Sequence, residues 1–250
     1  MAAAGLRTKV LLADATSAAL GAAMIEPVLA DPEAMGHIGG AVGYHPWAGD
    51  FRWPYWRDVA ARHGLALLVT EIGADPFAWK TGALGTAHYA LDDVRRHLEV
   101  LNVSGAQSLL TWEWTGNYGV LDTAVDGALA PTMRYWMLWQ LTRLSPTPGR
   151  VLVTATDRPD DVVAATLLGD GPAPAVAVHV GNLADGRPIT VTGLPPHVTA
   201  VYVATSTPAG GLTRGAAAVV VSDGRVTVDV PAWSMVTLTT APIPDPPTEW

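Results

Sequence analysis

Four short apolar runs, each followed by a stretch with helical spacing, dominate the chain up to about residue 145. The runs recur at intervals of about 30 to 40 residues, which is the length of a βα unit. Continuous apolar strands separated by helices are typical of a parallel sheet that helices cover. The predicted strands are Lys9–Ala13, Ile38–Gly43, Leu65–Thr70 and Ala106–Thr111, and the predicted helices are Thr16–Leu29, Trp53–His63, Ala83–Leu101 and Pro131–Leu144, with Pro131 in a first helical turn.

The pattern changes after Pro146-Thr-Pro-Gly149, where short β-rich runs alternate with turn pairs such as Asp170-Gly171. Roughly eight such runs predict a β-sandwich. Within it, Ser222-Asp-Gly-Arg225 lies between two valine-rich runs and predicts a hairpin. We therefore predict a partial (β/α) barrel over residues 1–148, a β-sandwich domain over 149–241 and a tail over 242–250. The predicted strands of the sandwich cover residues 151–156, 162–168, 175–180, 189–191, 200–203, 217–221, 226–230 and 235–239.

Composition narrows the functional classes. Hydrophobic residues make up 49% of the 250 residues, enough to fill a core, and the net charge of −8 argues against nucleic-acid binding. The chain has no cysteine, which excludes disulfides and thiolate metal ligands. No apolar run approaches the roughly 18 residues of a membrane span. Arg7 and Lys9 precede an apolar stretch that Asp14 interrupts, so we predict no signal peptide here. The sequence does not determine the cellular compartment of the protein, since a parent enzyme could be secreted.

Polar and aromatic residues follow each predicted strand. Four βα units could form a small open sheet or half of an eight-stranded barrel, whose active-site residues lie at the carboxyl ends of the strands. The four ends carry carboxylates, a histidine and indoles, which suit a sugar because a pyranose ring stacks on an indole while carboxylates bind its hydroxyls. This favours the half-barrel with a carbohydrate site at one end. The segments are Asp14-Ala-Thr16, Tyr44-His45-Pro46-Trp47, Thr70-Glu71 and Trp112-Glu113-Trp114.

These segments resemble the clan A glycoside hydrolases. Leu67-Leu-Val-Thr-Glu71-Ile-Gly73 is similar to the seventh barrel strand, which supplies the catalytic nucleophile in that clan, and the segments Tyr44–Trp47 and Trp112–Trp114 resemble the ends of the sixth and eighth strands. The segments Pro148–Val151 and Val230–Leu238 look like the start and end of the C-terminal sandwich of family 30. The resemblance implies retaining hydrolysis of a β-linked glycoside, with Glu71 as nucleophile, a carbohydrate as substrate and no cofactor.

One part of the clan pattern is missing. The general acid/base of clan A follows the fourth barrel strand as an Asn-Glu pair, and this chain contains no such dipeptide. Because its strands resemble the fifth to the eighth, three alternatives stay open: the C-terminal part of a longer enzyme, a chain that works with another chain, or a catalytically dead protein. The rival functions are a non-catalytic carbohydrate-binding or interaction module and an inactive truncated product. We expect very slow hydrolysis of aryl β-glycosides or none.

Each candidate residue also has a structural alternative. Glu71 could cap the next helix, and His45, expected to hydrogen-bond the nucleophile or a sugar hydroxyl, could be a buried histidine bonded to a carbonyl. Asp14 could bind substrate or cap the helix that begins near Thr16. Trp47, like Trp79, could be a sugar platform or a core residue.

Glu113 is the other glutamate at a strand end. Neighbouring strands lie about 4.8 Å apart, and retaining enzymes need two carboxyls about 5–5.5 Å apart, so Glu113 could serve as the acid/base. Its two tryptophan neighbours, Trp112 and Trp114, favour contact with a sugar hydroxyl instead. Asn117 and Tyr118 are predicted contacts at the rim of the site. The helical spacing of Trp53, Trp56, Trp136 and Trp139 predicts packing, and no histidine spacing predicts a metal site.

The half-barrel has a consequence for association. A closed barrel has no edges, because its first strand pairs with its last. With four strands missing, the strand Lys9–Ala13 would leave one edge open, and we expect self-association through it.

Overall fold

The computed structural model describes Gly5, Thr8 and residues 10–47, 52–75, 77–114, 116–123 and 127–247, and it divides into two compact units. The first unit comprises residues 1–77 and 103–112, and the second comprises residues 78–102 and 113–250. The elements, in chain order, are β1 Val10–Ala13, α1 Ala18–Leu29, α2 Pro32–Met35, β2 Ile38–Tyr44, α3 Trp53–His63, β3 Ala66–Ile72, α4 Ala78–Thr81, a 3-10 turn Ala83–Gly85, α5 Ala87–Glu99, a π-helical turn Val100–Ser104, β4 Ser108–Thr111, β5 Leu121–Thr123, β6 Leu129–Pro131, α6 Met133–Arg143, β7 Gly149–Leu152, β8 Val162–Gly169, β9 Val176–Asn182, β10 Arg187–Thr192, β11 Ala200–Thr207, β12 Gly210–Arg214, β13 Val219–Val220, β14 Arg225–Val230 and β15 Ser234–Thr239.

The first unit is a parallel sheet in the order β1-β2-β3-β4 with helices between its strands. Among the described strands, β1 pairs with β2 alone and β4 with β3 alone, so both edges are open. The register places Val42 beside Leu67 and Tyr44 beside Val69, all four buried on one face. Tyr44 stacks on Trp56 of α3 with 4.9 Å between the ring centroids, so this face is the one that helices cover.

Caps define the helices of the first unit. The side chain of Ser17 accepts a hydrogen bond from the backbone N–H of Leu20 and begins α1. The alternative in which Asp14 caps this helix is therefore wrong. Helix α3 ends at His63, and the following Gly64 has a φ of +62°, the left-handed conformation that glycine adopts at low cost after a helix.

The second unit contains the β domain. Its seven-stranded antiparallel sheet has the order β12-β11-β15-β9-β8-β7, with β13 also paired to β11, and β10 and β14 form a separate two-stranded sheet. Alternate residues of β14 (Val226, Val228 and Val230) are buried in one apolar core with valines of β9 and with Val236 and Leu238 of β15. The two sheets therefore face each other across a shared core.

Helices α5 and α6 belong to the same unit as the β domain. A Cβ added at Gly181 of β9 would lie 3.7 Å from Val94 and 3.9 Å from Leu98, so α5 lies against this strand. The fully buried amide of Gln140 in α6 lies 2.7 Å from the Ser206 hydroxyl of β11. The helices thus cover the part of the large sheet around β9 and β11.

The predicted fold class, a partial (β/α) barrel followed by a β domain, is confirmed. The domain boundary at residue 148 stays a prediction. No helix among the described residues is long and apolar enough to cross a membrane. Of the tryptophans predicted to pack, Trp53, Trp56 and Trp139 are buried.

Several local predictions were wrong. Pro131 ends β6, and Thr132 caps α6 through its hydroxyl and the N–H of Tyr135. The strand predicted over residues 151–156 ends at Leu152. The hairpin predicted at Ser222–Arg225 is confirmed only at its turn: Asp223 and Gly224 have positive φ, and Ser222 and Arg225 form an antiparallel bridge with two backbone hydrogen bonds. The pairing does not continue, because β13 pairs with β11 and β14 with β10. The strands β5, β6 and β12 were not predicted.

Candidate active site

Four of the predicted site residues come together in the first unit. His45 Nε2 lies 3.0 Å from Asp14 Oδ1, and His45 Nδ1 lies 3.2 Å from Glu71 Oε2. Trp47 Nε1 donates a hydrogen bond of 3.1 Å to the same Glu71 oxygen. His45 is buried, whereas the side chain of Glu71 keeps 28% of its exposed surface and that of Asp14 keeps 51%. An imidazole thus lies between two carboxylates that solvent can reach.

The ends of three neighbouring strands build this cluster. The backbone N–H of Asp14 bonds to Gly43 O, which fixes the end of β1 against β2 just before His45. Asp14 itself has a φ of +66°, a conformation that aspartate tolerates better than most residues. On β3 the register with β4 shifts between Val69 and Ile72, so Glu71 lies in an irregular part of the ladder. Such irregularities turn side chains away from the regular alternation.

Asp14 is an ionised carboxylate at neutral pH. The Thr70 hydroxyl and, to a smaller extent, the His45 imidazole favour its charged form and lower its pKa below the ordinary value, against the opposing effect of partial burial. The interaction with Thr70 was not predicted, although Thr70 directly precedes Glu71 at the end of β3. Its signal was a hydroxyl directly before the glutamate.

The close approach of Gly73 and Trp47 positions the indole. A Cβ at Gly73 would overlap the six-membered ring of Trp47, so glycine is required for this ring to lie beside the strand. Trp47 is 9% exposed and therefore acts first as a packed donor to Glu71, not as an open sugar platform.

The remaining candidates follow β4. Trp112 belongs to the first unit and is 41% exposed, whereas Glu113, Trp114, Asn117 and Tyr118 belong to the second unit. They form a compact loop in which Glu113 N–H bonds to Tyr118 O and Trp114 O accepts from Leu121 N–H.

This loop presents an aromatic surface. Trp114 is 67% exposed and Asn117 is exposed, whereas Glu113 and Tyr118 are half-buried. Gly116 has a φ of +93°, and a Cβ there would lie 2.7 Å from Glu113 Oε1. The guanidinium of Arg134 donates a 2.6 Å hydrogen bond to Tyr118 O and anchors the loop to α6. Sequence reasoning missed Arg134, because an isolated arginine in a helix carries no motif.

Among the described residues no group of three or more His, Cys, Asp or Glu side chains could hold a metal ion. In the cluster around Glu71, both contacts of the carboxylate are made through one of its two oxygens, Oε2.

The sequence matches no family model and no curated protein. Solved structures do match. A family 30 subfamily 8 xylanase from Clostridium acetobutylicum has a TM-score of 0.74 at 15% identity, over 92% of this chain and 55% of that one. A family 30 endoxylanase from Clostridium papyrosolvens C71 has a TM-score of 0.74 at 17% identity, over 95% and 57% of the two chains.

The chain has a fold like that of glycoside hydrolase family 30. The catalytic domain of a family 30 xylanase from Talaromyces cellulolyticus agrees, with a TM-score of 0.66 at 16% identity over 95% of this chain and 53% of that one. The chain spans little more than half the length of these xylanases, so their activity is a proposal for this chain.

Proposed function

We propose that this chain carries the nucleophile half of a retaining β-glycoside hydrolase site, with Glu71 as the nucleophile and β-linked xylosides as the substrate class. The observation that carries the proposal is the geometry of one Glu71 oxygen at the end of β3, which accepts a hydrogen bond from Trp47 Nε1 and lies 3.2 Å from His45 Nδ1. The family 30-like fold supports the reaction class, and the xylanase activity of the similar structures supports xylose as the sugar.

The contacts of Glu71 suit nucleophilic attack. Both Trp47 Nε1 and His45 Nδ1 approach Oε2, so Oε1 is the oxygen that attacks the anomeric carbon. The new bond joins Oε1 to that carbon while the bond from the carbon to the leaving oxygen breaks with its electron pair. Water then hydrolyses the glycosyl ester and restores the carboxylate.

Asp14 is unsuited to protonate the leaving group. A general acid must hold a proton at the working pH, and the pKa of Asp14 is lowered by Thr70 and His45. We assign Asp14 to holding His45 in place. We assign no general acid to the described residues; Glu113 is the alternative, and fast turnover of an unactivated xyloside that is lost in Glu113→Gln would select it.

The missing proton donor sets the expected activity. General acid catalysis contributes about 10²- to 10⁴-fold, so unactivated xylosides should turn over very slowly. A leaving group such as 2,4-dinitrophenolate departs without a proton, and such a substrate isolates the action of Glu71.

The test is covalent labelling with 2,4-dinitrophenyl 2-deoxy-2-fluoro-β-xyloside, followed by intact-mass and peptide analysis. We expect one fluoroxylosyl group on the peptide that contains Glu71, and none on Glu71→Gln. Glu33→Gln, which removes an exposed carboxylate of α2 in the same unit, is the matched control and should label normally. Labelling that survives Glu71→Gln would contradict the assignment.

A second candidate is a non-catalytic carbohydrate-binding module. The exposed indoles of Trp112 and Trp114 favour it, since both could stack on a sugar without any acid/base group. Xylan binding by the wild-type chain, lost in Trp114→Ala and combined with no labelling of Glu71, would select this function over hydrolysis.

A further inference from the structure

Trp233 has an unusual backbone conformation for its residue type. It lies in the turn between β14 and β15 with a φ of +52°. Among the described residues, Trp233 is the one aromatic residue with a positive φ. The other non-glycine residues with positive φ are Ala13, Asp14, Arg52 and Asp223. A bulky side chain is strained there, whereas glycine would not be.

Burial alone does not account for the choice of tryptophan. The side chain is 42% exposed, and its partner ring, His88 at the start of α5, is also exposed. The centroids of the two rings lie 6.2 Å apart, with the planes inclined at 58°. The chain therefore maintains a strained backbone to place a large ring at the surface. Strain of this kind persists only where the surrounding structure enforces it.

Buried polar side chains provide that enforcement. Asn182, fully buried, donates through Nδ2 to Pro231 O at 2.8 Å and to Asp185 O at 3.0 Å, and so ties two turns together. The hydroxyl of Ser234, also fully buried, donates to the same Pro231 oxygen at 2.7 Å. Trp233 N–H completes the link by donating to Ala184 O.

The groups presented at these turns suit a sugar. The exposed indole offers an apolar face for the C–H side of a pyranose ring, and tryptophan combines such a face with little conformational entropy. His88 and the exposed carboxylate of Asp185, next to Ala184, offer hydrogen-bonding groups for hydroxyls. All of these residues belong to the second unit, whereas Glu71 belongs to the first.

We propose that Trp233, with His88 beside it, forms a second carbohydrate-binding site that holds β-linked xylan chains on the β domain. The choice of xylan rests on the proposed function; the position of the site rests on Trp233 itself. The site binds xylan without catalysing a reaction, so its binding does not depend on whether Glu71 is a nucleophile.

The test is affinity electrophoresis in gels that contain soluble xylan, with dextran gels as the control polysaccharide. The wild-type chain should be retarded in xylan, and Trp233→Gly should weaken its retention about tenfold, as expected for loss of a stacked aromatic contact. Tyr202→Ala, which removes another exposed aromatic side chain of the β domain, should be retarded like the wild type. Trp114→Ala, measured in parallel, shows how much retention comes from the loop after β4.

Thermal melting separates binding from packing. Glycine accepts the positive φ without strain, so Trp233→Gly should melt within a few degrees of the wild type. A large drop in Tm would show that the ring is a packing residue and would overturn the proposal. Equal retardation of Trp233→Gly and wild type in xylan, or no retardation of the wild type, would also overturn it.

Labelling keeps this proposal distinguishable from the proposed catalytic role. Glu71→Gln should still be retarded by xylan, and Trp233→Gly should still be labelled by the fluoroxyloside. A wild-type chain that binds xylan but is not labelled by the fluoroxyloside would contradict the role of Glu71 as nucleophile and leave the Trp233 site standing.

Discussion

At the residue scale, the contact between Gly73 and Trp47 controls the environment of Glu71. The indole donates to Glu71 Oε2, and it can lie there because residue 73 has no Cβ. A single methyl group at position 73 would therefore move the donor without touching the carboxylate. This makes residue 73 a sensitive probe of the site.

We expect Gly73→Ala to slow fluoroxyloside labelling of Glu71 by about 10- to 100-fold, since a hydrogen bond to a charged group contributes roughly 1.5–3 kcal/mol. Trp47→Phe, which removes the N–H and keeps most of the ring, should slow labelling to a similar extent. The measurement is the labelling rate from mass spectra taken over time. Normal labelling in both variants would show that this hydrogen bond has no part in the reaction.

His179 of β9 gives a second prediction at this scale. It is fully buried, lying 3.0 Å from Ser145 Oγ and 2.9 Å from Thr237 Oγ1, and burial lowers its pKa from 6.5 to about 3. The hydroxyl of Ser145 also donates to Leu141 O. Ser145 Oγ therefore accepts from His179 Nε2–H, and a neutral imidazole satisfies both hydroxyl partners.

The unfolded chain thus binds a proton at His179 more readily than the folded chain does. The stabilising contribution of the neutral ring is complete above about pH 6.5 and is lost progressively as the pH falls towards 3, with a slope of up to about 1.4 kcal/mol per pH unit. Urea midpoints between pH 8 and 4.5 should fall more steeply for the wild type than for His179→Gln. Parallel curves for the two chains would contradict this account.

At the scale of elements, a buried ion pair links α5 to α6 in the second unit. Asp93 and Arg134 are both fully buried, with Arg134 Nε 3.0 Å from Asp93 Oδ2. Removing one partner of a buried pair leaves the other charge without compensation. Because Arg134 also donates to Tyr118 O, this link extends to the loop of Glu113 and Trp114.

We expect Asp93→Asn to lower the free energy of unfolding by about 3–5 kcal/mol, measured by urea denaturation. Glu99→Gln, which removes the Arg95–Glu99 pair on the same helix, is the control. That pair is partly exposed and spans four residues, so its loss should cost less than about 1 kcal/mol. Equal losses in the two variants would mean that burial of the Asp93 pair adds nothing.

Element types were predictable where periodicity is strong. Helix α3 has the predicted bounds, and the first four strands lie within two residues of their predicted starts, because apolar runs and turn residues delimit them locally. The short strands β5 and β6 escaped prediction, since three residues carry no period and their pairing depends on a partner across a loop. The strand-end rule identified Asp14, His45 and Glu71, but the alternation of strands could not foresee the register shift at Thr70–Glu71.

At the scale of the whole molecule, the open edges of the parallel sheet predict self-association. Among the described strands β1 and β4 each have one partner, and Leu110 of β4 is 56% exposed. Unpaired edges with apolar side chains recruit further strands. Light scattering should show oligomers, and Leu110→Lys should shift the chain towards monomer. The control Val153→Lys alters a 94% exposed valine of the second unit and should leave the oligomeric state unchanged. A monomeric wild-type chain would contradict the prediction.

The membership of α5 and α6 limits how this architecture could be divided by recombination. The composition of the sequence changes near Pro148, which suggests a point for recombination. A segment that starts there would contain β9 without Val94 and Leu98, which lie against it. It would also contain Ser206 without Gln140, its hydrogen-bonding partner. The chain also passes between the two units three times, after residues 77, 102 and 112. A single recombination event therefore cannot separate the two units without breaking one of them. We expect the βα units and the β domain to have been inherited together.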